Sequence, residues 1–342
     1  MSKWLEGKGK ENDIVISSRI RLARNIENIK FPYLMNKDDS EEVINNIKKA
    51  IIESNTVLSR DFDFHRLNKI SPLDRKVLAE KHLISHNLLE TPEKSGFLLS
   101  KDEKVTIMIN EEDHIRIQVL FPGLELYKSW ELCSNIDDVL EENIKYAFDE
   151  KLGYLTCCPT NIGTGMRASV MLHLPCLVLT GQINKILQAV SQIGLTVRGI
   201  YGEGTDALGD LFQISNQTTL GETEEEIIDK LKNIVIQIIA KERSARDTLL
   251  TKKRTEIEDR VFRSWGILTN SRIIDSKEAM KLLSHVRMGI EMGIIKDIGL
   301  QVINKLMFST QPATIQKYSG IDLDAKQRDI KRAKFIREKL KN

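Results

Sequence analysis

Several segments of the chain alternate apolar and polar positions with a period of two, and this pattern predicts β-strands. Residues 13–24 predict a strand that runs into an arginine-bearing loop. Apolar residues at every second position over 105–109 and 115–119 predict a hairpin with a polar turn. Shorter strands are predicted over 195–200 and 211–215.

Other segments repeat their apolar positions with the helical period. The four-residue spacing of Val43, Ile47 and Ile51 predicts a helix over 40–58. Further helices are predicted over 72–82, which a proline opens, and over 182–193. A long helix is predicted from Glu222, because acidic residues suit its positive N-terminal end. Residues 169–180 are compatible with either a helix or a strand.

The character of the chain changes after about Ala240, where strand patterns end. The remainder predicts helices broken at Gly266, Pro312 and Gly320. We therefore expect two domains, 1–250 and 251–342, with the boundary near Leu250. The second is small, helical and rich in apolar residues, which favours completion of its core by dimerisation.

Composition narrows the possible functions. The chain has 342 residues, 41% hydrophobic and 29% charged, as is typical of soluble globular proteins. A net charge of +2 is too small to indicate nucleic-acid binding. No apolar run has membrane-spanning length and no signal core opens the chain, so we expect a cytoplasmic location without membrane contact.

The four cysteines argue against a zinc site, because none forms a Cys-x-x-Cys pair. Cys157 and Cys158 are adjacent, so on a strand their side chains would point to opposite faces. One of them would then lie in the core, while the other could line a cleft.

Residues 158–169 combine a thiol, two loop glycines and an arginine, which suits the handling of an anion beside a reactive group. Residues 17–25 interrupt an apolar stretch with three arginines. Arginine keeps its charge and presents a planar fork to phosphate oxygens. A single arginine is usually a solvated surface charge, but several converging residues would clamp a polyphosphate. The candidates are Arg19, Arg21, Arg24, Arg116, Arg167 and Arg198.

Carboxylates suggest how a cationic substrate could be held. The turn that contains Glu111 and Glu112 is either a charged surface turn or a carboxylate aimed at a guanidinium, which it would orient and deprotonate. Glu203, in a glycine-flanked loop, is a second candidate. The P-loop, dinucleotide and protein-kinase motifs are missing, so any ATP use rests on the arginines. Phosphoryl transfer needs mainly alignment and charge neutralisation, which arginines and phosphate-bound Mg²⁺ could supply.

Four segments together resemble the phosphagen (guanidino) kinase family: residues 17–24, 110–116, 158–167 and 198–203. The resemblance implies an α+β fold, in which an antiparallel-sheet catalytic domain flanked by helices precedes the helical C-terminal domain. It also implies ATP with Mg²⁺ held by the nucleotide phosphates, and no protein metal site.

The resemblance assigns roles residue by residue. It implies that Glu112, with Glu111 beside it, holds and deprotonates the guanidinium, that Glu203 is the second carboxylate, and that Cys158 tunes the reacting nitrogen. Cys158 as a buried structural thiol is the alternative. The implied ATP-binding residues are Ser17, Ser18, Arg19, Ile20, Arg21, His82, Arg116, Arg167, Ala168, Ser169, Val170, Met171, Arg198, Gly199, Ile200, Tyr201, Gly202 and Glu203.

Kinases of small guanidines have a helical domain before the first arginine motif, whereas here that motif begins at Ser17. We therefore expect an open site that suits an arginine displayed on a protein. The whole chain resembles the bacterial protein arginine kinases, whose Arg-Asp-x-x-Arg-Ala element matches Arg328, Asp329, Arg332 and Ala333. The resemblance implies that these four residues form an allosteric phosphoarginine pocket, although such a helix would otherwise be a solvated face.

The same resemblance implies partners. They are protein substrates with exposed arginines, an activator protein (McsA-like), a stress-gene repressor (CtsR-like), a downstream Clp ATPase/protease and a second copy of the chain. The leading hypothesis is a protein arginine kinase that marks proteins for Clp degradation and modulates the repressor. A free-arginine or other phosphagen kinase, and a non-catalytic adaptor that binds through the C-terminal helices, are the alternatives.

Overall fold

An eight-stranded antiparallel sheet forms the centre of the structure, a computed structural model that describes residues 3–6, 8–53, 57–199 and 207–341. Its strands in chain order are β1 (Val15–Arg24), β2 (Phe62–Arg66), β3 (Gly96–Ser100), β4 (Val105–Ile109), β5 (Ile115–Pro122), β8 (Met166–His173), β9 (Leu195–Gly199) and β10 (Leu211–Asn216). Between β5 and β8 in the chain, β6 (Phe148–Asp149) and β7 (Gly153–Tyr154) form a separate two-stranded ribbon. The order across the sheet is β2-β3-β4-β5-β1-β8-β10-β9.

Helices surround this sheet and form the C-terminal part of the described chain. They are α1 (Lys37–Ile52), α2 (Pro72–Glu80), α3 (Leu126–Glu141), α4 (Pro175–Leu179), α5 (Ile183–Gln192), α6 (Glu224–Lys252), α7 (Arg254–Asn270), α8 (Ser276–Glu291), α9 (Leu300–Ser309), α10 (Pro312–Ser319) and α11 (Ala325–Leu340). Among the described helices, none combines the length and apolar character needed to cross a bilayer.

Strand β1 lies at the centre of the sheet, paired with β5 on one side and β8 on the other. Successive side chains of a strand point to opposite faces. Ile20 and Leu22 are fully buried in the core, which α3 and α6 help to form against these strands. Arg19 and Arg21 therefore point to the opposite face.

Most predicted strands are confirmed. The strand predicted over 13–24 is β1, although its arginines lie within the strand rather than in a following loop. The hairpin is β4 and β5, and the short strands are β9 and β10. Residues 169–180 contain both structures, because β8 ends at His173 and Pro175 then opens α4. Strands β2 and β3 were not predicted.

Some helices begin or end at other residues than the sequence predicted. Helix α1 begins before residue 40, because Asn36 and Asp39 form a reciprocal capping box. It ends at Ile52, so the prediction of a helix to residue 58 is wrong. The predicted break at Gly266 is also wrong, because this glycine lies inside α7. Gly320 does end α10, in the left-handed conformation that glycine adopts most readily.

The helices after residue 250 are joined to the sheet by buried polar contacts. Arg287 of α8 is fully buried, and its guanidinium donates to the backbone carbonyls of Asn12 and Asp13. It also lies 2.8 Å from Nδ1 of His173, at the end of β8. The apolar core is continuous across residue 250, and the two-domain division stays a prediction.

Candidate active site

The outer face of the sheet gathers the arginines that the sequence analysis selected. In the sheet register, Arg21 of β1 lies opposite Arg167 of β8. Arg116 of β5 lies opposite Ala23, two residues along β1 from Arg21. Because residues two apart on a strand share a face, Arg19 belongs to the same group. Three strands that are distant in sequence thus contribute guanidinium groups to one surface.

A cleft of about 330 Å³ opens at this surface. Arg198, at the end of β9, joins the other strands in lining it. Six of its lining residues carry the chemistry of the site: Arg21, Arg116, Arg167, Arg198, Glu112 and Cys158.

The positive charges of the clustered arginines repel one another. Burial, followed by the positive charges of Arg167 and Arg116, lowers the pKa of Arg19 to about 10. Burial and the same neighbours, with Arg19, lower the pKa of Arg21 well below its ordinary value. The Nε of Arg21 is buried and has no hydrogen-bond partner. A bound polyanion would relieve this repulsion and supply the missing acceptor.

Two carboxylates meet one of these arginines at the edge of the cleft. Nη1 of Arg116 lies 2.5 Å from Glu111 Oε2, and Nη2 lies 2.7 Å from Glu112 Oε2. The side chain of Glu111 is fully buried and also accepts a 2.6 Å hydrogen bond from Ser85 Oγ. That of Glu112 is 37% exposed. Glu111 therefore braces Arg116, while Glu112 can contact a second cation.

The loop before β8 brings a thiol to the same cleft. Sγ of Cys158 lies 3.0 Å from Thr160 Oγ1. Gly165 follows with φ +64°, and a Cβ at this position would lie 2.6 Å from the carbonyl oxygen of Ala23. Only glycine therefore lets the loop approach β1 so closely. Burial, together with the charge of Asp113, raises the pKa of the neighbouring Cys157.

Arg24 does not join the cleft. It lies three residues after Arg21, so it points to the other face of the sheet. There it is fully buried, 2.7 Å from Asp137 Oδ2, with its guanidinium 3.5 Å from the ring centre of Tyr154. The inclusion of Arg24 in the polyphosphate clamp is therefore wrong.

Other predicted site residues support the cleft without lining it. The side chains of Ser17, Ser18, Ile20, Ala168, Ser169, Val170 and Met171 are buried within the sheet. Among them, Ser169 Oγ lies 3.3 Å from Arg19 Nε. Their roles toward ATP stay predictions.

His82 lies just beyond α2, edge-on to Phe308 at 5.5 Å between ring centres. Burial, with the nearby charge of Arg19, lowers its pKa to about 3. It does not line the cleft, and its role toward ATP stays a prediction. Gly199 ends β9, while Ile200, Tyr201, Gly202 and Glu203 lie outside the described residues.

Sequence reasoning missed several polar residues of the site. Gln213 Oε1 accepts a 2.8 Å hydrogen bond from Arg19 Nη2, and Gln213 and Ser215 both line the cleft. Ser85 holds Glu111, and Asn87 borders the cleft. One sequence feature could have pointed to Gln213, because this glutamine interrupts the apolar pattern of β10.

The Arg-Asp-x-x-Arg-Ala element lies on α11, but it is not a solvated face. Arg332 is only 2% exposed and donates to the backbone oxygens of Thr310 and Ile274 and to Asp329. Ala333 is fully buried. Arg328, by contrast, borders a cleft of about 780 Å³ between α2 and the α10–α11 region. In this element Arg328 is therefore accessible from the cleft, whereas the buried Arg332 anchors α11.

Comparison with known proteins agrees with this arrangement. Residues 42–245 match the family described as ATP:guanido phosphotransferase, C-terminal catalytic domain, and residues 254–342 match the protein-arginine kinase McsB C-terminal domain. A protein-arginine kinase from Geobacillus sp. (strain WCH70) is 52% identical over 341 residues, covering 100% of this chain and 94% of the relative.

A second protein-arginine kinase, from Bacillus subtilis (strain 168), is 52% identical over 340 residues, covering 99% of this chain and 93% of its own. Among solved structures, a lombricine kinase aligns with a TM-score of 0.58 and 27% identity, covering 71% of this chain and 70% of the other.

Proposed function

We infer the activity of this chain from its family: it belongs to the protein-arginine kinases, within the ATP:guanido phosphotransferases. It is a kinase that transfers a phosphoryl group to arginine side chains of proteins. Family membership also implies that ATP is the donor. The fold prediction of an antiparallel sheet flanked by helices is confirmed, as is the family assignment.

We propose that the cationic cleft binds the phosphates of ATP. The observation that carries this assignment is the convergence of Arg21, Arg116, Arg167 and Arg198 on one cleft beside Glu112. Arg19 lies close enough to contribute to the same field. The arginines neutralise charge on the transferring group, and Mg²⁺ carried by the nucleotide phosphates adds to this neutralisation.

Glu112 is the proposed base of the reaction. Its carboxylate orients the substrate guanidinium and takes a proton from the attacking nitrogen. That nitrogen forms the new bond to the γ-phosphorus, while the bond from phosphorus to the oxygen of ADP breaks. Glu111 holds Arg116 in place, and Cys158 contacts the guanidinium from the cleft wall. Glu203 is proposed as a second carboxylate on sequence grounds alone.

Regulation and partners are further proposals that rest on family membership. Arg328 and Asp329 are proposed to bind phosphoarginine, and Arg332 and Ala333 to position them on α11. An activator protein (McsA-like), a repressor of stress genes (CtsR-like) and a Clp protease are the proposed partners. Because the reaction uses ATP, we propose that it takes place in the cytoplasm.

A homodimer is also proposed. Two apolar side chains of α7, Phe262 and Ile267, are 53% and 39% exposed, and Ile273, just after this helix, is 52% exposed. Apolar exposure of this kind at neighbouring positions favours a protein contact.

The test is a search for acid-labile phosphoarginine by mass spectrometry. The protein is incubated with Mg-ATP and an arginine-rich protein, and a parallel reaction contains free arginine. We expect phosphoarginine on the protein and none in a Glu112→Gln reaction. Label on free arginine alone would indicate a phosphagen kinase. Silence in both reactions, even with an activator protein present, would indicate an adaptor.

A further inference from the structure

Glu112 lies between two cavities. One is the cationic cleft already described. The other, also about 330 Å³, is lined by Glu112 as well and reaches the surface beside Tyr33. The adjacent cysteines divide between the two, because Cys158 lines the first cavity and Cys157 lines the second.

The two cavities differ in charge. Four arginines line the first, whereas Glu111 and Glu112 contribute carboxylates to the second. The cation that lines the second is Lys94, an exposed residue whose Nζ donates a 2.8 Å hydrogen bond to the carbonyl oxygen of Met35. The first cavity therefore suits an anion, and the second suits a cation that reaches Glu112.

Reaction geometry favours approach of the two substrates from different sides. In phosphoryl transfer, the attacking and leaving atoms lie roughly in line through phosphorus. A nucleotide that fills the cationic cleft closes that side of the reacting group. The acceptor must then approach from the opposite side, and Glu112 borders both cavities.

One side of the rim of the second cavity is apolar and exposed. A short 3-10 turn, Pro32–Leu34, carries Tyr33 and Leu34, which are 72% and 61% exposed. The bond from Lys94 to Met35 ties this turn to the opposite rim. Exposed apolar side chains beside a polar cavity mark contact surfaces for proteins.

We propose that the target arginine reaches Glu112 through this second cavity, and that Tyr33 and Leu34 dock the polypeptide around it. The proposal rests on the function given above and names its substrate surface. An arginine side chain enters with its guanidinium toward Glu112, which borders both cavities, so that the guanidinium also meets the proposed contact with Cys158. Apolar residues beside it in the substrate pack on the Tyr33–Leu34 rim.

Two sets of variants test the entrance. Thr91, an exposed rim residue, is replaced in Thr91→Trp so that the indole fills the mouth. The double variant Tyr33→Ser, Leu34→Ser removes the apolar rim. Thr251→Trp and Ile236→Ser, at exposed positions of α6, are matched controls. Phosphoarginine formation is measured with an arginine-rich protein, and MgADP binding is measured separately by calorimetry.

We expect Thr91→Trp to lower kcat/KM for the protein substrate about tenfold or more, because the indole blocks the mouth of the cavity. The rim variant should raise the KM for the protein substrate about tenfold or more, because a large apolar contact is lost. The KM for ATP and the Kd for MgADP should match those of the controls. Wild-type turnover in Thr91→Trp would overturn the proposed entrance. A wild-type protein that labels no protein would instead contradict the function on which the entrance rests.

Discussion

The guanidinium of Arg116 lies 2.7 Å from the carboxylate of Glu112. The same carboxylate is proposed to bind the substrate guanidinium, so the substrate must share it with Arg116. Phosphates in the cationic cleft would compete for Arg116 and draw its charge away from Glu112. The contact would therefore link nucleotide binding to substrate binding.

We expect MgADP to tighten the binding of an arginine-containing peptide by about five- to tenfold, at the low end of ordinary coupling between sites. Calorimetric titration of the peptide with and without saturating MgADP measures this factor. The reciprocal titration must give the same factor, because coupling of binding free energies is symmetric. Loss of the coupling in Arg116→Gln would support this residue as the link, and equal peptide affinity with and without MgADP would contradict it.

Glu112→Gln should slow phosphoryl transfer by about 10²- to 10⁴-fold while leaving the fold intact. The amide can no longer accept the proton, and a positioned base contributes roughly 10²- to 10⁴-fold to the rate. The side chain is 37% exposed, so its replacement leaves no buried cavity. Single-turnover formation of phosphoarginine and the melting temperature measure the two effects. Glu142→Gln, at an exposed position after α3, is the matched control. Full turnover in Glu112→Gln would remove Glu112 from the proposed mechanism.

Glycine and arginine positions show what the sequence could establish. The sequence predicted these arginines in a loop after the strand, whereas the period of two of β1 puts Arg19 and Arg21 on one face and Arg24 on the other. The convergence of Arg116 and Arg167 on that face could not be predicted, because it depends on the long-range pairing of β1 with β5 and β8. Gly266 was predicted to break a helix, but packing of α7 against α8 overrides its low helix propensity.

Residues that brace the site were harder to find than residues that carry its charge. Ser85 and Gln213 contact Glu111 and Arg19 only after the chain has folded. A lone serine or glutamine carries no motif, so spacing along the sequence gave no reason to select either. The charged residues were selected because they recur in short runs or lie beside glycines in loops.

Arg21→Met should stabilise the unliganded protein and weaken nucleotide binding. Burial and three neighbouring arginines lower the pKa of Arg21, and its Nε has no partner. Removal of this charge should raise the free energy of unfolding by about 1 kcal/mol, as expected when a half-buried, poorly compensated charge is replaced by an apolar side chain. Loss of its bonds to phosphate should raise the Kd for MgADP about tenfold or more. Urea unfolding measures the free energy of unfolding, and calorimetry measures the Kd for MgADP. A fall in both would contradict a phosphate site whose arginines repel one another in the free protein.

The buried histidines should contribute a loss of stability below pH 6.5. Burial, with the charges of Arg260 and Lys281, lowers the pKa of His285 to about 4. Between pH 6.5 and 4 the unfolded chain therefore binds a proton at this residue that the folded protein does not bind. The free energy of unfolding should fall by up to about 1.4 kcal/mol per pH unit for each histidine of this kind. Burial beside Arg287 lowers the pKa of His173 in the same direction.

His285→Gln should reduce this slope by up to one proton. The ring Nδ1 lies 2.9 Å from Ser264 Oγ, and a glutamine amide can replace this contact. Urea unfolding at several values between pH 5 and 7 measures the slope, and near-ultraviolet circular dichroism at pH 7 checks that the fold is retained. An unchanged slope in the variant would show that His285 does not titrate as its surroundings predict.

The two arginines of the α11 element should respond differently to substitution. Arg332 is buried and bonded to Thr310 and Ile274, so Arg332→Ala should lower the free energy of unfolding by about 1.5–3 kcal/mol. Arg328→Ala should leave stability nearly unchanged and remove the response to free phosphoarginine, because Arg328 borders an open cleft. Calorimetry with phosphoarginine, together with urea unfolding, separates the two effects. If phosphoarginine binds Arg328→Ala as tightly as wild type, the proposed pocket is contradicted. A loss of binding in Arg332→Ala alone would not support the pocket, because it would reflect unfolding of α11 rather than loss of a ligand contact.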